Sequence, residues 1–510
     1  MRKELLTLCA LLPWAAHAQD GQVDPTFADN AVYALVNHTE FDDDWMKEIV
    51  VLPDGRILLG GNMGTWTENK MIIVRLLPDG TRDSSFGTDG VALVDLSPGN
   101  TEALKGMVPQ GDKLILGGQT NNFGTNDFFV MRLNADGSVD ESFGGVGVTI
   151  VDVGNGTEDI VHSVRMDSNG KVLLGGSAED PDGPNGVDLA VVRFTADGHL
   201  DPTFNGTGKL IWPVVNNEDK VKDIVFGAQQ RIYLVGEAMS SGLRRIVIGA
   251  LNNDGTKYLE YGGNMTGRTI LPVQQNVHGY VDRALMDSNG NIMVVGNAFL
   301  SFTRGMMAQV DPMGAYTSFN DSGVLLFGVK SQLHDILKVQ GGYLVCGYYF
   351  DDDKSFQSSM VARISEAAQP VPSFADDGML VENVNVLGND GCAAFAAQGT
   401  GHVVVVGMGF VPGPNGFYGF AFRITVDGIL TGSEEHELPR FRVYPNPTDG
   451  LLQLPGELPL NALVEVVDLR GAVVMTAKLD GTRQLDVRRL ASGLYTLVVD
   501  RSMSARFVRN

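Results

Sequence analysis

Apolar residues along this chain fall in short runs, many alternating with polar positions, and nearly every run is bounded by Gly, Asp, Asn or Pro. A period of two in segments too short for helices predicts β-strands, and helical periodicity is nearly absent. One run recurs throughout: DGRILLGG, GDKLILGG, NGKVLLGG, QRIYLVGE, NGNIMVVGN, GGYLVCGY and GHVVVVGM. Its aligned glycine falls at Gly61, Gly118, Gly176, Gly236, Gly296, Gly347 and Gly407, at intervals of 57, 58, 60, 60, 51 and 60.

Each unit carries four β-type segments. In unit two they are GVALVDL (Gly90 to Leu96), ALKGMVP, KLILGGQT and FFVMRLN (Phe128 to Asn134), and Asp54-Gly55 or Asp167 to Gly170 marks a hairpin between the second and third. Seven copies of a four-stranded unit predict an all-β fold, a seven-bladed β-propeller in which each blade covers its neighbours. A β-solenoid is the competing architecture, but it usually has shorter repeats and needs capped ends. The shared D-G-x-x-D-x-[ST]-F start, the D-G-K-[IV]-L-L-G-G-like strand and the A-R-[FL]-x-x-D-G-like end resemble the delta-60 repeat of bacterial surface proteins. The likeness is clear over units one to three, weakens afterwards, and carries no activity with it.

From Arg440 the pattern changes to RFRVYPNPTDGLLQL, VEVVDLRGAVVMTAKL and a basic end, which predicts a small immunoglobulin-like β-sandwich. Tyr444, Pro445, Asn446 and Pro447 with Gly450, then Asp468 and Gly471 in VDLRG, then Ser492, Gly493 and Tyr495 in SGLY, resemble the type A C-terminal sorting domain of the type IX secretion system. That resemblance implies the type IX machinery as a partner, passage across the outer membrane, and cell-surface attachment or release.

The opening residues have Arg2 and Lys3, an apolar stretch, and Ala16-His17-Ala18, which predicts a signal peptide cut between Ala18 and Gln19. The expected organisation is therefore a signal over 1–18, a propeller over 19–430, a linker over 431–439 and the sorting domain over 440–510, with no transmembrane segment. A net charge of -23, with only 38 Lys and Arg, argues against nucleic acid as a partner. Past the signal only Cys346 and Cys392 remain, in different units, and buried free thiols are the expectation.

A further regularity links units. Five residues before each closing turn position stand Arg75, Arg132, Arg193, Ala250, Gln309, Arg363 and Arg423. Three residues before each linker aromatic stand Asp83, Asp140 and Asp201 after the first three, then Tyr258, Tyr316 and Val371. Arginine and acid vanish together twice, Arg363 facing Val371 is an exception, and Arg423 finds Asp24 if the chain closes into a ring. A guanidinium forks onto a carboxylate, so each Arg at the end of a unit's last strand is expected to grip the acid of a linker crossing to the next blade, with the aromatic filling the seam.

Binding chemistry has fewer signals. The loops between the expected third and fourth strands vary most and offer Trp66, Phe123, Tyr348, Phe417 and Tyr418 as platforms for a surface polysaccharide or other glycan, although solvated loops are polar and variable without any ligand. Asp180, Asp182 and Asp188 offer hard oxygen donors for Ca²⁺, without the full spacing of a calcium loop, and no motif requires a cofactor. Thirteen residues before each aligned glycine lie Glu48, Lys105, Ser163, Asp223, Arg283, His334 and Ala394, either a ring at a channel mouth or a set of inter-blade salt bridges. There is no G-x-S-x-G, H-E-x-x-H or P-loop and no catalytic residue stands out. The expectation is a non-catalytic binding or adhesion protein, with a polysaccharide-acting hydrolase or lyase at the central channel as the alternative.

Overall fold

The computed structural model describes residues 20–28, 31–35, 43–64, 68–96, 100–121, 124–179, 186–215, 218–263, 265–350, 356–375, 377–384, 389–410, 416–430, 443–455, 458, 462–467, 473–499 and 503–509. Among them the helical content is three single 3-10 turns, Phe143–Gly145, Ala228–Gln230 and Phe319–Asp321. Up to residue 425 the strands form five antiparallel sheets of four and one of seven. The seven-stranded sheet is two units joined, because Val324–Val339 runs on from the outer edge of one to the inner edge of the next.

The innermost strands are Asp43–Val51, Glu102–Gln110, Ile160–Met166, Asp219–Phe226, His278–Met286, the second half of Val324–Val339, and Asp390–Gln398. Each packs against the next, and the last packs against the first, so the sheets close into a β-propeller around a central channel. Val32–Leu35 supplies the outer strand of the final sheet by pairing with Phe417–Thr425. That exchange corrects the phase of the repeat by one strand. GVALVDL is the outer strand of the preceding blade, since Val91–Val94 pairs with Asn69–Leu76. The arginines therefore stand on third strands, their linkers run from third to fourth strand of the same blade, and the variable loops join second to third strands.

Seven apolar clusters fill seven successive seams. One joins Phe86, Ala92 and Val94 to Leu104, Leu116 and Phe129, and another closes the ring by joining Phe27 and Met46 to Val404 and Ala421. The linker aromatics Phe27, Phe86, Phe143, Phe204, Tyr261, Phe319 and Phe374 are all at most 5% exposed. In six seams the residue after the aromatic donates its N–H to a carbonyl on the neighbouring blade or its edge: Ala28 to Asp79, Gly87 to Asp136, Gly144 to Asp197, Asn205 to Asp254, Gly262 to Met313 and Ala375 to Asp20.

The expectation of free thiols is overturned: Cys346 and Cys392 form a disulfide with a Cα–Cα separation of 6.0 Å. Cys346 lies on the second strand of the sixth blade and Cys392 on the first strand of the seventh, so seam packing brings together residues 46 apart in sequence. In the C-terminal part, Leu463–Val467, Val473–Lys478, Gly493–Val499 and Met503–Arg509 form one antiparallel sheet, and Leu451–Gln453 pairs with Gln484–Asp486 in a second. Both sheets contribute to a core that includes Leu452, Val464, Leu485, Leu497 and Phe507.

Candidate functional site in the central channel

The recurring glycine has a steric cause. Every innermost strand is bulged, with the pairing register breaking at Met46/Glu48, Leu104/Gly106, Val161/Ser163, Val221/Asp223, Val281/Arg283, Leu333/Asp335 and Cys392/Ala394. The bulge presses the carbonyl before it onto the second strand. A Cβ at Gly61 would lie 1.8 Å from the Trp45 carbonyl oxygen, and one at Gly118 would lie 2.0 Å from that of Ala103. No side chain fits there, and glycine is the residue that lets the bulge form.

Each bulge leaves one residue without a partner on the second strand: Lys47, Lys105, His162, Lys222, Asp282, His334 and Ala393. Blades one to four therefore contribute three lysines and a histidine, a cationic arc inside a protein of net charge -23. Among the described residues none of the three ammonium groups has a hydrogen bond or ion pair. They do feel one another. Burial pushes Lys105 down to about 8, aided by the charges of Lys47 and Lys222 and opposed by Glu48. Burial, then Lys222, Lys105 and Lys220, hold His162 well below its ordinary value, and its buried Nε2 has no hydrogen-bond partner among the described residues.

Across the ring the character changes. His334 lies edge-on to Tyr348 at 4.6 Å and 3.8 Å from Asp282, which also accepts a hydrogen bond from Asn297 at 3.0 Å. One residue further along the inner strands the charges are matched. Arg283 reaches Glu48 at 3.0 Å and Asp335 at 3.9 Å, and Asp223 accepts from Ser163 at 2.8 Å and meets Arg165 at 2.7 Å. Arg283 and Asp335 of this tier, with Arg165, line a cavity of 1180 Å³ together with Phe226, Lys338 and His402. The thirteen-residue count from the glycine mixes the two tiers. It finds the bulge at Lys105 and His334 and overshoots it by one elsewhere, because the hairpins Gly111-Asp112 and Gln340-Gly341 are short.

The linker acids sit beside their arginines. Nε of Arg75 donates to Asp83 at 2.8 Å, that of Arg132 to Asp140 at 2.6 Å, that of Arg193 to Asp201 at 2.8 Å and that of Arg423 to Asp24 at 2.8 Å. The hydroxyl two residues on donates to the other carboxylate oxygen, as Ser142 does to Asp140 at 2.7 Å, which makes each motif an Asx-type turn. Each guanidinium also stacks on its linker ring, Arg132 over Phe143 at 4.7 Å, and bonds a carbonyl of the next blade, as Arg423 does to Pro78 at 2.8 Å. Sequence reasoning missed the partner of Arg363, which is Asp20 at 2.6 Å.

The expected ligand platforms are engaged in packing. Tyr348 fills the space over Gly391, where a Cβ would lie 1.7 Å from its ring, Phe417 packs on Phe410 at 5.1 Å, and the Tyr418 hydroxyl donates to Asp390 at 3.0 Å. Trp66 and Phe123, Asp180 and Asp182, Ala18 and Gln19, and Asp468 and Gly471 lie outside the described residues. Asp188 is buried on a third strand. In the sorting segment the Asn446 side chain accepts the Val508 N–H at 2.9 Å, the Tyr444 N–H reaches the Gln453 carbonyl at 3.2 Å, and the Tyr495 hydroxyl donates to Ala491 at 2.9 Å. Pro445 and Pro447 follow cis peptide bonds, a Cβ at Gly450 would meet Arg488, and Ser492 is exposed beside Gly493 at the start of its strand.

Residues 442–508 match the family model of the secretion system C-terminal sorting domain. Residues 52–86, 110–143 and 168–204 match a β-propeller family described as a domain of unknown function. No curated protein matches the chain. Among solved structures it is similar to a protein of unknown function from Dyadobacter fermentans, at 13% identity and TM-score 0.43 over 78% of this chain and 99% of that one. A virginiamycin B lyase from Staphylococcus aureus matches at 10% identity and TM-score 0.43, over 77% and 98% of the two chains. The β-propeller domain of the Trilobed protease from Pyrococcus furiosus matches at 9% and 0.40, over 77% and 100%. No helix among the described residues is long and apolar enough to cross a membrane.

Proposed function

For a chain that carries β-propeller repeats and is exported across the outer membrane by its type IX sorting domain, we propose a non-catalytic binding or adhesion role, with an anionic ligand held in the central channel. The observation that supports it is the set of unpaired ammonium groups of Lys47, Lys105 and Lys222 around the unpartnered Nε2 of His162. Like charges gathered in the channel repel, and the half-buried Lys105 and Lys222 are incompletely hydrated; a ligand bearing carboxylate or sulfate groups relieves both costs. The acidic exterior repels such a ligand, so attraction is confined to the channel. An acidic surface polysaccharide fits this chemistry, with His162 available to its hydroxyl groups.

The test is binding of the exported chain, from Gln19 onward, to a polyuronate and to a neutral glucan. Salt-sensitive binding to the polyuronate alone is expected, with affinity reduced about tenfold or more in the Lys105→Gln/Lys222→Gln double variant. Equal affinity of parent and variant would sink the reading. Shortened polymer products would replace it with a hydrolase or lyase acting at the channel.

A further inference from the structure

At the seam between the second and third blades, Asp127, Asp152 and Asp159 bring one carboxylate oxygen each within 4.8 Å of the other two. Asp127 is the second residue of Asn126–Leu133, the third strand of the second blade, Asp152 directly follows its outer strand Val148–Val151, and Asp159 directly precedes Ile160–Met166. Asp127 is 6% exposed and Asp159 0%, while Asp152 faces solvent. The N–H groups of Val153 and Gly154 hold Asp159 at 2.6 and 3.1 Å, whereas Oδ1 of Asp127 is buried with no hydrogen bond among the described residues. Burial, with the charges of Asp152 and Asp127, pushes Asp159 up to about 7, and burial with Asp152 and Glu158 raises Asp127. Lys209 offsets Asp127 in part and donates to the Asp152 carbonyl at 2.5 Å, which leaves the cluster with excess negative charge.

The other repeats show what this place normally holds. One unit earlier the same three positions are Lys70, Asp95 and Glu102, and the Lys70 ammonium meets Asp95 at 3.3 Å. One unit later Asp188 and Asp219 recur, but Pro213 replaces the third acid. Of these three seams, only the one after the second blade sets three carboxylates together, where the others use a cation or fewer acids.

We propose that Asp127, Asp152 and Asp159 bind a divalent cation that takes the part played by the Lys70 ammonium one unit earlier. Three hard oxygen donors, with solvent on the Asp152 side to complete the shell, suit Ca²⁺. The ion pins the end of an outer strand to the start of the next inner strand, three residues before His162 and its bulge.

The probe is Ca²⁺ alone, added to the EDTA-treated full exported chain and followed by thermal unfolding and titration calorimetry. Saturating Ca²⁺ is expected to raise Tm by about 3 °C or more, and Asp127→Asn to remove both the shift and the binding heat. Asp127→Lys supplies the ammonium covalently, so it is expected to lose the Ca²⁺ response and melt at least as high as the calcium-free parent. Absence of any Ca²⁺ effect on the parent overturns the proposal. So does an undiminished effect in Asp127→Asn, which would place the ion elsewhere, or an Asp127→Lys protein that melts well below the calcium-free parent.

Discussion

The Arg363 guanidinium and the Asp20 carboxylate meet at 2.6 Å although 343 residues separate them. The other oxygen of Asp20 accepts the Asp427 N–H at 3.0 Å, its carbonyl accepts that of Ala375 at 3.0 Å, and Gly21 lies under the Phe374 ring. The first described residues thus do at the sixth seam what an Asp-Gly turn of the adjoining blade does elsewhere. Asp20→Ala would leave Arg363 charged and about nine-tenths buried. We expect a loss of about 3 kcal/mol in urea unfolding, and a loss below about 0.5 would show that the pair does not hold the ring.

Asp140 serves two cations, Arg132 and Lys113, each at 2.6 Å. Asp140→Ala orphans both, whereas Arg132→Ala leaves the acid paired with Lys113. The first should therefore cost more than the second, and a double-mutant cycle should show a coupling of about 1 kcal/mol or more. Additive effects would mean that the contact contributes nothing specific.

Gly118→Ala places a methyl group 2.0 Å from the Ala103 carbonyl oxygen. The inner strand must then give up its bulge. A destabilisation of about 2 kcal/mol or more is expected, together with loss of polyuronate binding as Lys105 moves. A variant as stable as the parent would contradict the steric account.

The Cys346–Cys392 bond closes a loop of 46 residues between neighbouring blades. Cys392→Ser, compared with the parent under non-reducing conditions, should lower stability by about 2–4 kcal/mol. Equal stability before and after reduction of the parent would refute a structural role.

Burial first, then the charges of Lys47 and Lys222 against that of Glu48, bring Lys105 down to about 8. Below pH 8 it carries the charge an anionic ligand needs, and above it that charge is lost. Polyuronate affinity should fall between pH 7 and 9, and Lys105→Gln should flatten the fall. Without ligand the sign reverses: between about 8 and the ordinary 10.5 the unfolded chain holds the extra proton, so this group makes the fold more stable as pH rises. A parent profile as flat as that of Lys105→Gln would remove Lys105 from the site.

Strand type, turn positions and the sevenfold recurrence of glycine are written in local chemistry. Alternation of apolar residues and the φ preferences of Gly, Asn and Asp act over a few residues, so they can be read along the chain without knowing what packs on what. The linker arginines and acids share that legibility, because eight residues separate each of the pairs Arg75–Asp83, Arg132–Asp140 and Arg193–Asp201. Ring closure alone decides the rest. It hands each unit's first strand to the preceding blade, brings Asp20 to Arg363 and Cys346 to Cys392, and sets Lys47, Lys105, His162 and Lys222 around one axis. A bulge inserts one residue, and a one-residue change of register moves a side chain to a different face. Hairpin length therefore determines which residue enters the channel, and this is decided when inner and second strands pair.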